Sequence, residues 1–234
     1  MQRILVLNPK GGSGKTTIAT NLASYFASRG DRPLLWDNDP QASSTRWLKK
    51  RTTEQPFIHG IAAFERSMRV TRSWQLRIPE DAAHVVVDTP AAVPPQELPE
   101  ITKNADAIIV PVLPSDIDIH ACSKCVADLL LIAKVRRDEN RIGVVANRVR
   151  RNTLIYQSLM RFLATLRIPV IATLRDSQNY VRAAEHGMGL FEMKRWSVAQ
   201  DLEDWEPLLA WLQRKEHPAG AGGPDLHSQL PETA

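Results

Sequence analysis

The residues best suited to chemistry lie near the start of the chain, in the segment KGGSGKTT at positions 10–17. Glycines let a backbone approach an anion closely and point N–H groups inward, and a helix that begins near Thr16 adds the positive end of its dipole. The segment therefore predicts a phosphate-binding loop, in which Lys15 pairs with the β- and γ-phosphates of a nucleotide and the Thr16 hydroxyl ligates Mg²⁺. The predicted nucleotide contacts in this loop are Lys10, Gly11, Gly12, Ser13, Gly14, Lys15, Thr16 and Thr17.

Three carboxylates follow two other apolar runs. Asp37 and Asp39 come after the run LLW, and Asp88 ends the run HVVVD. In an open parallel sheet the carboxyl ends of the strands line the crevice where ligands bind, so these side chains would reach it. A run of β-branched residues ending in one acid is typical of a strand that delivers a carboxylate to Mg²⁺, which makes Thr16 and Asp88 the predicted metal ligands. Taken alone, Asp37 and Asp39 fit an acidic turn closed by Pro40 equally well.

The elements that must position these residues alternate between buried strands and amphipathic helices. The run RILVLN (3–8) suits a central parallel strand, and Ile18, Leu22 and Phe26 give the next helix one apolar stripe. Because the two metal ligands must reach one ion, the strand ending at Asp88 should lie beside this first strand. The pattern predicts an α/β P-loop NTPase fold with three layers, a mostly parallel sheet covered by helices on both faces. The other predicted strands are 33–36, 107–112, 141–147 and 168–172, and the predicted helices are 45–51, 61–68, 115–135, 152–166, 177–187 and 198–215.

Length and composition fit one ordinary globular domain. The 234 residues can bury a sizeable core without disulfides, and 43% hydrophobic with 24% charged residues is typical of such domains. We predict an ordered domain at 1–215 and a disordered tail at 216–234, which is rich in Pro and Gly. No segment resembles a transmembrane span, and the first strand begins without room for a signal peptide, so we expect a cytoplasmic protein.

The positive charge of the chain is modest. A net charge of +4 and a pI near 9.2 permit nucleic-acid binding without establishing it. Four arginines between the second and third predicted strands are most simply explained as a solvated face: Arg66, Arg69, Arg72 and Arg77. The candidate DNA contacts lie later in the chain and are Arg148, Arg150, Arg151, Arg175, Arg182, Lys194 and Arg195. Each of these cations fits ordinary surface charge equally well.

The two cysteines, Cys122 and Cys125, form one C-x-x-C motif in a predicted helix. On one helical face such a pair is most often two free thiols, since zinc needs about four ligands and would require a second chain here. A redox role would need a lowered pKa at a helix start, which the sequence does not indicate. We therefore predict free thiols, with a zinc site shared across a dimer as the alternative.

The phosphate loop departs from the usual pattern, because Pro9 stands where that pattern has its first glycine and a second lysine, Lys10, opens the sequence K-G-G-x-G-K-T. Together with the D-x-D-P-Q segment at 37–41 and the D-T-P segment at 88–90, this loop resembles the deviant Walker A box of the ParA/MinD family of ATPases. Ala91 stands where many relatives have a second proline. We expect a small stand-alone member without a helix-turn-helix extension.

The resemblance implies a role for each matching residue. Lys10 would reach across a dimer interface to the other subunit's nucleotide, Asp39 would orient the attacking water, and Asp37 would lie near the Mg²⁺ shell. Asn147 would hydrogen-bond the adenine, which implies ATP over GTP, and the loop that contains Arg175 would lie against the base. The implied catalytic residues are Lys10, Lys15 and Asp39.

The same resemblance implies a switch at the nucleoid that depends on ATP and Mg²⁺. Two subunits would sandwich two ATP molecules, the homodimer would bind double-stranded DNA without sequence preference, and a ParB-like or cargo-adaptor protein would stimulate hydrolysis. The cargo would be a plasmid, a chromosome or a protein assembly such as carboxysomes. One alternative is a MinD-like membrane switch anchored by the helix at 198–215, although core docking is the simpler explanation of that helix. Another is a dethiobiotin-synthetase-like enzyme, against which Lys10 argues.

Overall fold

The structure, a computed structural model, describes residues 1–64, 78–91 and 93–216. Its strands are β1 (Gln2–Val6), β2 (Leu34–Asp37), β3 (His59–Ala62), β4 (His84–Asp88), β5 (Ala107–Val112), β6 (Ile142–Val149) and β7 (Val170–Arg175). Its α-helices are α1 (Lys15–Ser28), α2 (Ser43–Leu48), α3 (Leu98–Thr102), α4 (Asp116–Leu131), α5 (Leu154–Thr165), α6 (Asn179–Glu185) and α7 (Arg195–Glu216). Short 3₁₀ turns lie at Pro95–Glu97 and Leu190–Glu192.

The seven strands form one parallel sheet in the order β3-β2-β4-β1-β5-β6-β7. β1 lies between β4 and β5, and Val6 at the end of β1 pairs with Asp88 at the end of β4. Asp37 at the end of β2 pairs with Asp88 from the other side. The strand ending at Asp88 therefore lies beside β1, as predicted from the requirement that two ligands reach one ion.

Apolar side chains cover both faces of the sheet. On one face α1 and α7 pack against the strands, and Leu22 and Trp205 are fully buried there. On the other face α4 and α5 pack, and Leu129 and Leu159 are fully buried. Each such large side chain contributes roughly 1.5–3 kcal/mol by leaving water. The three-layer α/β fold predicted from the sequence is confirmed.

The last helix, α7, docks its apolar face on the core. Trp205, Leu208, Trp211 and Leu212 are buried, and the Trp205 indole donates a hydrogen bond to the Tyr180 hydroxyl at 2.9 Å. Core docking, the simpler interpretation of this helix from the sequence, is confirmed. Within residues 1–64, 78–91 and 93–216, no helix is both long and apolar enough to cross a membrane.

The helix predicted at 61–68 is wrong at Ile61 and Ala62, and its residues 65–68 lie outside the described residues. The apolar spacing at 61–68 suggested a helix, but His59–Ala62 form the edge strand β3, paired in parallel with β2. A short apolar segment does not distinguish a strand from a helix, and the open edge of β2 decides here. Residues 65–77, with all four arginines of the predicted solvated face, lie outside the described residues. The tail at 217–234 does too, so the domain boundary near 215 stays a prediction.

A buried ion pair connects the segment after α2 to the turn at Leu190–Glu192. The Arg51 guanidinium donates to both Glu192 oxygens, at 2.6 and 2.9 Å, and the two side chains are only 8% and 5% exposed. Removing one partner of a buried pair costs far more than removing one partner of an exposed pair, because the remaining charge stays away from water without compensation.

Arg51→Met should lower the free energy of unfolding by about 3–5 kcal/mol, because it leaves the Glu192 carboxylate buried without its partner. Urea denaturation followed by circular dichroism measures this loss. The matched control is Arg32→Met, since Arg32 pairs with Asp81 at the surface, where the side chains are 70% and 52% exposed. That control should leave the unfolding midpoint unchanged, and equal losses in both variants would show that burial is not the cause.

Candidate functional site

The phosphate loop runs from the end of β1 into α1. Gly12 and Gly14 have φ angles of 78° and 98°, in the left-handed region that favours glycine. A Cβ atom at Gly14 would lie 2.0 Å from Asn147 Nδ2, so a larger residue does not fit there without displacing that amide. Gly14 is also the N-cap of α1 and has no side chain to cap it, which leaves the N–H groups of the first turn available to a ligand. This geometry suits a phosphate group.

Lys15 lies almost fully buried beside the loop. Its Nζ donates a hydrogen bond to the Lys10 backbone oxygen at 3.1 Å. Burial lowers the pKa of Lys15, because it penalises the ammonium group more than the nearby Asp88 and Asp39 carboxylates favour it. A phosphate bound in the loop would supply the negative charge that this buried cation needs.

Thr16, in the first turn of α1, meets Asp88 at the end of β4. The Thr16 hydroxyl donates to Asp88 Oδ2 at 2.8 Å, and the Ser44 hydroxyl from α2 donates to the same oxygen at 2.7 Å. Burial raises the pKa of Asp88 to about 6, although these two hydrogen bonds favour the carboxylate. The predicted meeting of Thr16 and Asp88 is present, while Ser44 is a contact that sequence reasoning missed.

The donors at this point fit Mg²⁺. Asp88 Oδ1 is buried and has no hydrogen-bond partner among the described residues, so a cation would satisfy an oxygen that the chain leaves unsatisfied. Mg²⁺ prefers oxygen ligands and usually takes one or two carboxylates together with substrate phosphates. The described part of the chain contains no cluster of three or more His, Cys, Asp or Glu side chains suited to a metal. Thr16 and Asp88 would hold the ion against a bound nucleotide.

Asp37 and Asp39 form an acidic turn after β2. Asp37 accepts from the Asp39 backbone N–H at 3.0 Å and from the Thr45 N–H and hydroxyl at 2.8 Å, so it holds the first turn of α2 in place. Asp39 accepts from the Gln41 N–H at 2.9 Å and is half-buried. The acidic turn is therefore present, and Asp37 has a structural role beside the site. The water-orienting role of Asp39 and the place of Asp37 near the Mg²⁺ shell stay predictions.

The side chain of Lys10 leaves the loop and binds its own chain. Its Nζ lies 2.6 Å from Asp118 Oδ2, and the Asp118 side chain is 3% exposed while that of Lys10 is 34% exposed. Ser115 caps α4 by accepting from the Asp118 N–H at 3.2 Å, and its hydroxyl also contacts the Asp118 carboxylate. Asp118 lies in the first turn of α4, where a carboxylate also interacts favourably with the helix dipole. Its ion pair with Lys10 is an addition that only the fold reveals.

Of the two predicted base contacts, only Asn147 lies against the loop. Asn147 Nδ2 donates to the Ser13 backbone oxygen at 2.9 Å. Arg175 instead turns toward α7, where its Nε donates to Asp204 at 2.9 Å and a second carboxylate, Asp201, lies 3.4 Å away. The hydrogen bond to Asp204 raises the pKa of Arg175 further. Contact of either residue with adenine stays a prediction.

The candidate DNA contacts form two groups. Arg148 lies near the end of β6, and Arg150 comes directly after this strand. Both pair with Asp176, at 3.3 and 3.1 Å, and their side chains are 62% and 78% exposed. Arg151 pairs with the buried Asp204 at 2.9 Å, the carboxylate that also binds Arg175. The other group is exposed and lies on α6 and around the start of α7: Arg182, Lys194 and Arg195.

Both cysteines are free and lie on the buried face of α4. Burial raises the pKa of the Cys122 thiol to about 12, and it raises the pKa of Cys125 as well. Neither sulfur is placed to meet a second chain, and a thiol with a raised pKa is a poor nucleophile and metal ligand. The prediction of free thiols is confirmed, and the zinc alternative does not fit.

Comparison with known proteins agrees with this geometry. Residues 4–191 match the family described as the CobQ/CobB/MinD/ParA nucleotide binding domain. The chain belongs to this family. It is 39% identical over 219 residues to the maintenance of carboxysome distribution protein A of Gloeobacter kilaueensis, covering 90% of this chain and 94% of that protein. The ParA/MinD resemblance seen in the loop is therefore confirmed.

Solved structures share the fold at low sequence identity. Apo McdA from Cyanthece gives a TM-score of 0.67 at 16% identity, over 91% of this chain and 99% of that one. A plasmid partition protein from Borrelia burgdorferi bound to AMPPNP gives 0.64, also at 16% identity, over 92% and 99% of the two chains. Members of this P-loop family thus include proteins solved with a nucleotide.

Asp88→Asn should weaken ATP binding in the presence of Mg²⁺ by about tenfold or more, because a neutral amide balances less of the charge of the ion. In EDTA the affinity for ATP should stay near that of the wild type. Isothermal titration under both conditions measures the difference. Asp116→Asn is the control, since Asp116 begins α4 but its side chain is 86% exposed. Equal losses with and without Mg²⁺ would mean that Asp88 supports the loop and not the ion.

Proposed function

We propose that this chain is an ATP-dependent switch that dimerises around two bound nucleotides, binds DNA without sequence preference, and positions or segregates a cargo. The observation that carries the proposal is the arrangement of two lysines in one loop. Lys15 lies inside the loop beside Asp88, while the Lys10 side chain leaves the loop for Asp118, a buried carboxylate in the first turn of α4. Of these two lysines, Lys15 would neutralise this chain's own nucleotide, and Lys10, whose side chain points away from the loop, would serve a second subunit.

The chemistry proposed is hydrolysis of ATP by water. The N–H groups at the start of α1 and the Lys15 ammonium would bind the phosphates, and Thr16 with Asp88 would hold Mg²⁺, which neutralises charge on the phosphate oxygens. Asp39 lies at the neighbouring strand end with its carboxylate half-buried, within the same edge of the sheet. It would orient the attacking water and accept a hydrogen bond from it.

Dimerisation would require Lys10 to exchange partners. In a single subunit its ammonium is neutralised by Asp118, an ion pair only partly shielded from water. A triphosphate on a second subunit carries more negative charge than one carboxylate, so it can compete for this lysine. The dimer would therefore form with ATP and dissociate after the γ-phosphate is lost.

DNA binding would use exposed cations near the end of β6, those of α6 and the start of α7, or both. Arg148 and Arg150 share a single carboxylate, which leaves net positive charge at the end of β6. Contacts of this kind go to phosphates and ignore sequence. They weaken steeply as salt concentration rises, because the counterions that binding releases then gain less entropy. A dimer doubles the number of contacts, which is why DNA binding should follow ATP binding.

The cargo is proposed from the relatives. A protein named for carboxysome distribution is 39% identical to this chain, and a plasmid partition protein shares its fold. We therefore propose a plasmid, a chromosome or a protein cargo such as a carboxysome, linked through a ParB-like or cargo-adaptor protein that stimulates slow hydrolysis at the nucleoid. Because Trp205 and Trp211 of α7 are buried, a membrane anchor on that helix is disfavoured.

Lys10→Ala should bind ATP as a monomer and fail to dimerise with a nonhydrolysable ATP analogue, because the second subunit's phosphates lose their partner. Asp118→Asn should do the opposite and raise the dimer fraction, since it frees Lys10. Light scattering after size exclusion measures the mass. Lys103→Ala, which removes an exposed lysine, is the control and should dimerise normally. Normal dimerisation by Lys10→Ala would remove the main support for the switch.

Asp39→Ala should still bind ATP, accumulate as a dimer and remain on DNA, because the loop and metal ligands that bind the nucleotide are intact. Its ATP turnover should fall by at least a hundredfold, a typical loss when a group that positions the reacting water is removed. Phosphate release and retention on an unrelated DNA duplex, measured on one preparation, test these results together. A variant that binds ATP but stays monomeric would place Asp39 in assembly and not in hydrolysis.

A further inference from the structure

Asn147 connects the phosphate loop, which follows β1, to β6, two strands away in the sheet. It lies on β6, and its Nδ2 donates to the Ser13 backbone oxygen at 2.9 Å. Because β5 separates β6 from β1, the side chain reaches across the end of β5 to the loop that follows β1. Asn147 is 4% exposed and Ser13 is fully buried, so water cannot easily replace this donor.

A second hydrogen bond determines which way the amide points. Asn147 Oδ1 accepts from the Arg148 backbone N–H at 3.0 Å. Arg148 has a φ angle of 51°, so the chain turns sharply at this point in β6. A flipped amide would place its oxygen against the Ser13 oxygen and its NH₂ group against the Arg148 N–H, and both contacts would be repulsive. The donating end of the amide therefore faces the loop.

The amide also packs directly on the backbone that would bind phosphate. A Cβ atom at Gly14 would lie 2.0 Å from Asn147 Nδ2. Gly14 is the N-cap of α1, whose free N–H groups are the predicted anion donors. The Asn147 side chain thus donates a hydrogen bond to Ser13 and leaves no room for a side chain at Gly14.

We propose that Asn147 is a positioning residue for phosphate binding, which holds the loop in its anion-binding conformation before a ligand arrives. The inference rests on the proposed binding of ATP in this loop. It differs from the implied adenine contact, because that contact can act only on a ligand that has a base. A loop held in advance loses less conformational freedom when phosphate binds, and so binds it more tightly.

The two roles separate when the ligand lacks a base. Ribose 5-triphosphate is ATP without its adenine, so a pure base contact cannot affect its affinity. Asn147→Ala should weaken ATP and ribose 5-triphosphate by the same factor, about tenfold, in titrations with Mg²⁺. Hydrogen exchange of the backbone at residues 8–17 should also become faster in the protein without nucleotide, which a base contact would not cause.

Asn179→Ala is the matched control. The Nδ2 of Asn179, in α6, also donates to a backbone oxygen, that of Ser197 at 3.1 Å, as well as to Asp201 Oδ2 at 2.6 Å, but it does not lie against the phosphate loop. This variant should bind ribose 5-triphosphate like the wild type. If Asn147→Ala does not fold, Asn147→Ser, which retains a hydroxyl, is measured with the same ligands.

Two results would overturn the inference in different ways. In the first result, Asn147→Ala weakens ATP binding but leaves the affinity for ribose 5-triphosphate and the backbone hydrogen exchange unchanged. Asn147 would then be a base contact only. That result would leave the proposed function intact. Failure of the wild type to bind either ligand would instead remove the proposed function, and the inference with it.

Discussion

The hydrogen bond from Thr16 to Asp88 is the interaction on which the rest of the site depends. It joins the first turn of α1 to the end of β4, and it forms because β1 and β4 are neighbours whose ends are in register at Val6 and Asp88. Since side chains alternate along a strand, a register shift of one residue would turn Asp88 to the other face of the sheet. The sheet order therefore positions the carboxylate, and the glycine loop positions the hydroxyl that meets it.

Much of the fold was predictable because strands buried on both faces are continuous apolar runs. The segments HVVVD and AIIVPV both form strands with the predicted bounds, at His84–Asp88 and Ala107–Val112. The edge strand at His59–Ala62 was not predictable in this way. It contains a glycine and a histidine, and it is a strand because β2 offers a free edge for pairing. Local pattern determines the central strands, while an edge strand depends on its neighbour.

The same distinction applies to the site. The glycines, Lys15 and Thr16 could be predicted from spacing along one short segment. Asp118 could not be assigned to Lys10, because that ion pair exists only if β5, which leads into α4, lies directly beside β1. Ser44 likewise reaches Asp88 through the packing of α2. Residues close in sequence, and the Thr16–Asp88 pair that one shared ion requires, were therefore predicted. Asp118 and Ser44, for which no such chemical requirement exists, needed the structure.

Differences in exposure among the ion pairs indicate which parts of the molecule can rearrange. Arg51 and Glu192 are shielded from water and would leave a bare charge if separated, so they keep α2 and the turn at Leu190–Glu192 together. Arg148 and Arg150 are exposed, and surface pairs of this kind contribute little to stability, so a DNA phosphate could displace Asp176 at small cost.

Lys10 lies between these extremes, because its partner Asp118 is buried while its own side chain is a third exposed. Separating Lys10 from Asp118 leaves the buried Asp118 carboxylate with its Ser115 contact but without the neighbouring positive charge. A new partner must therefore interact with Lys10 more strongly than this one carboxylate does. A triphosphate with several charged oxygens meets this condition better than a single phosphate, which gives the proposed switch a physical reason to respond to the presence of ATP.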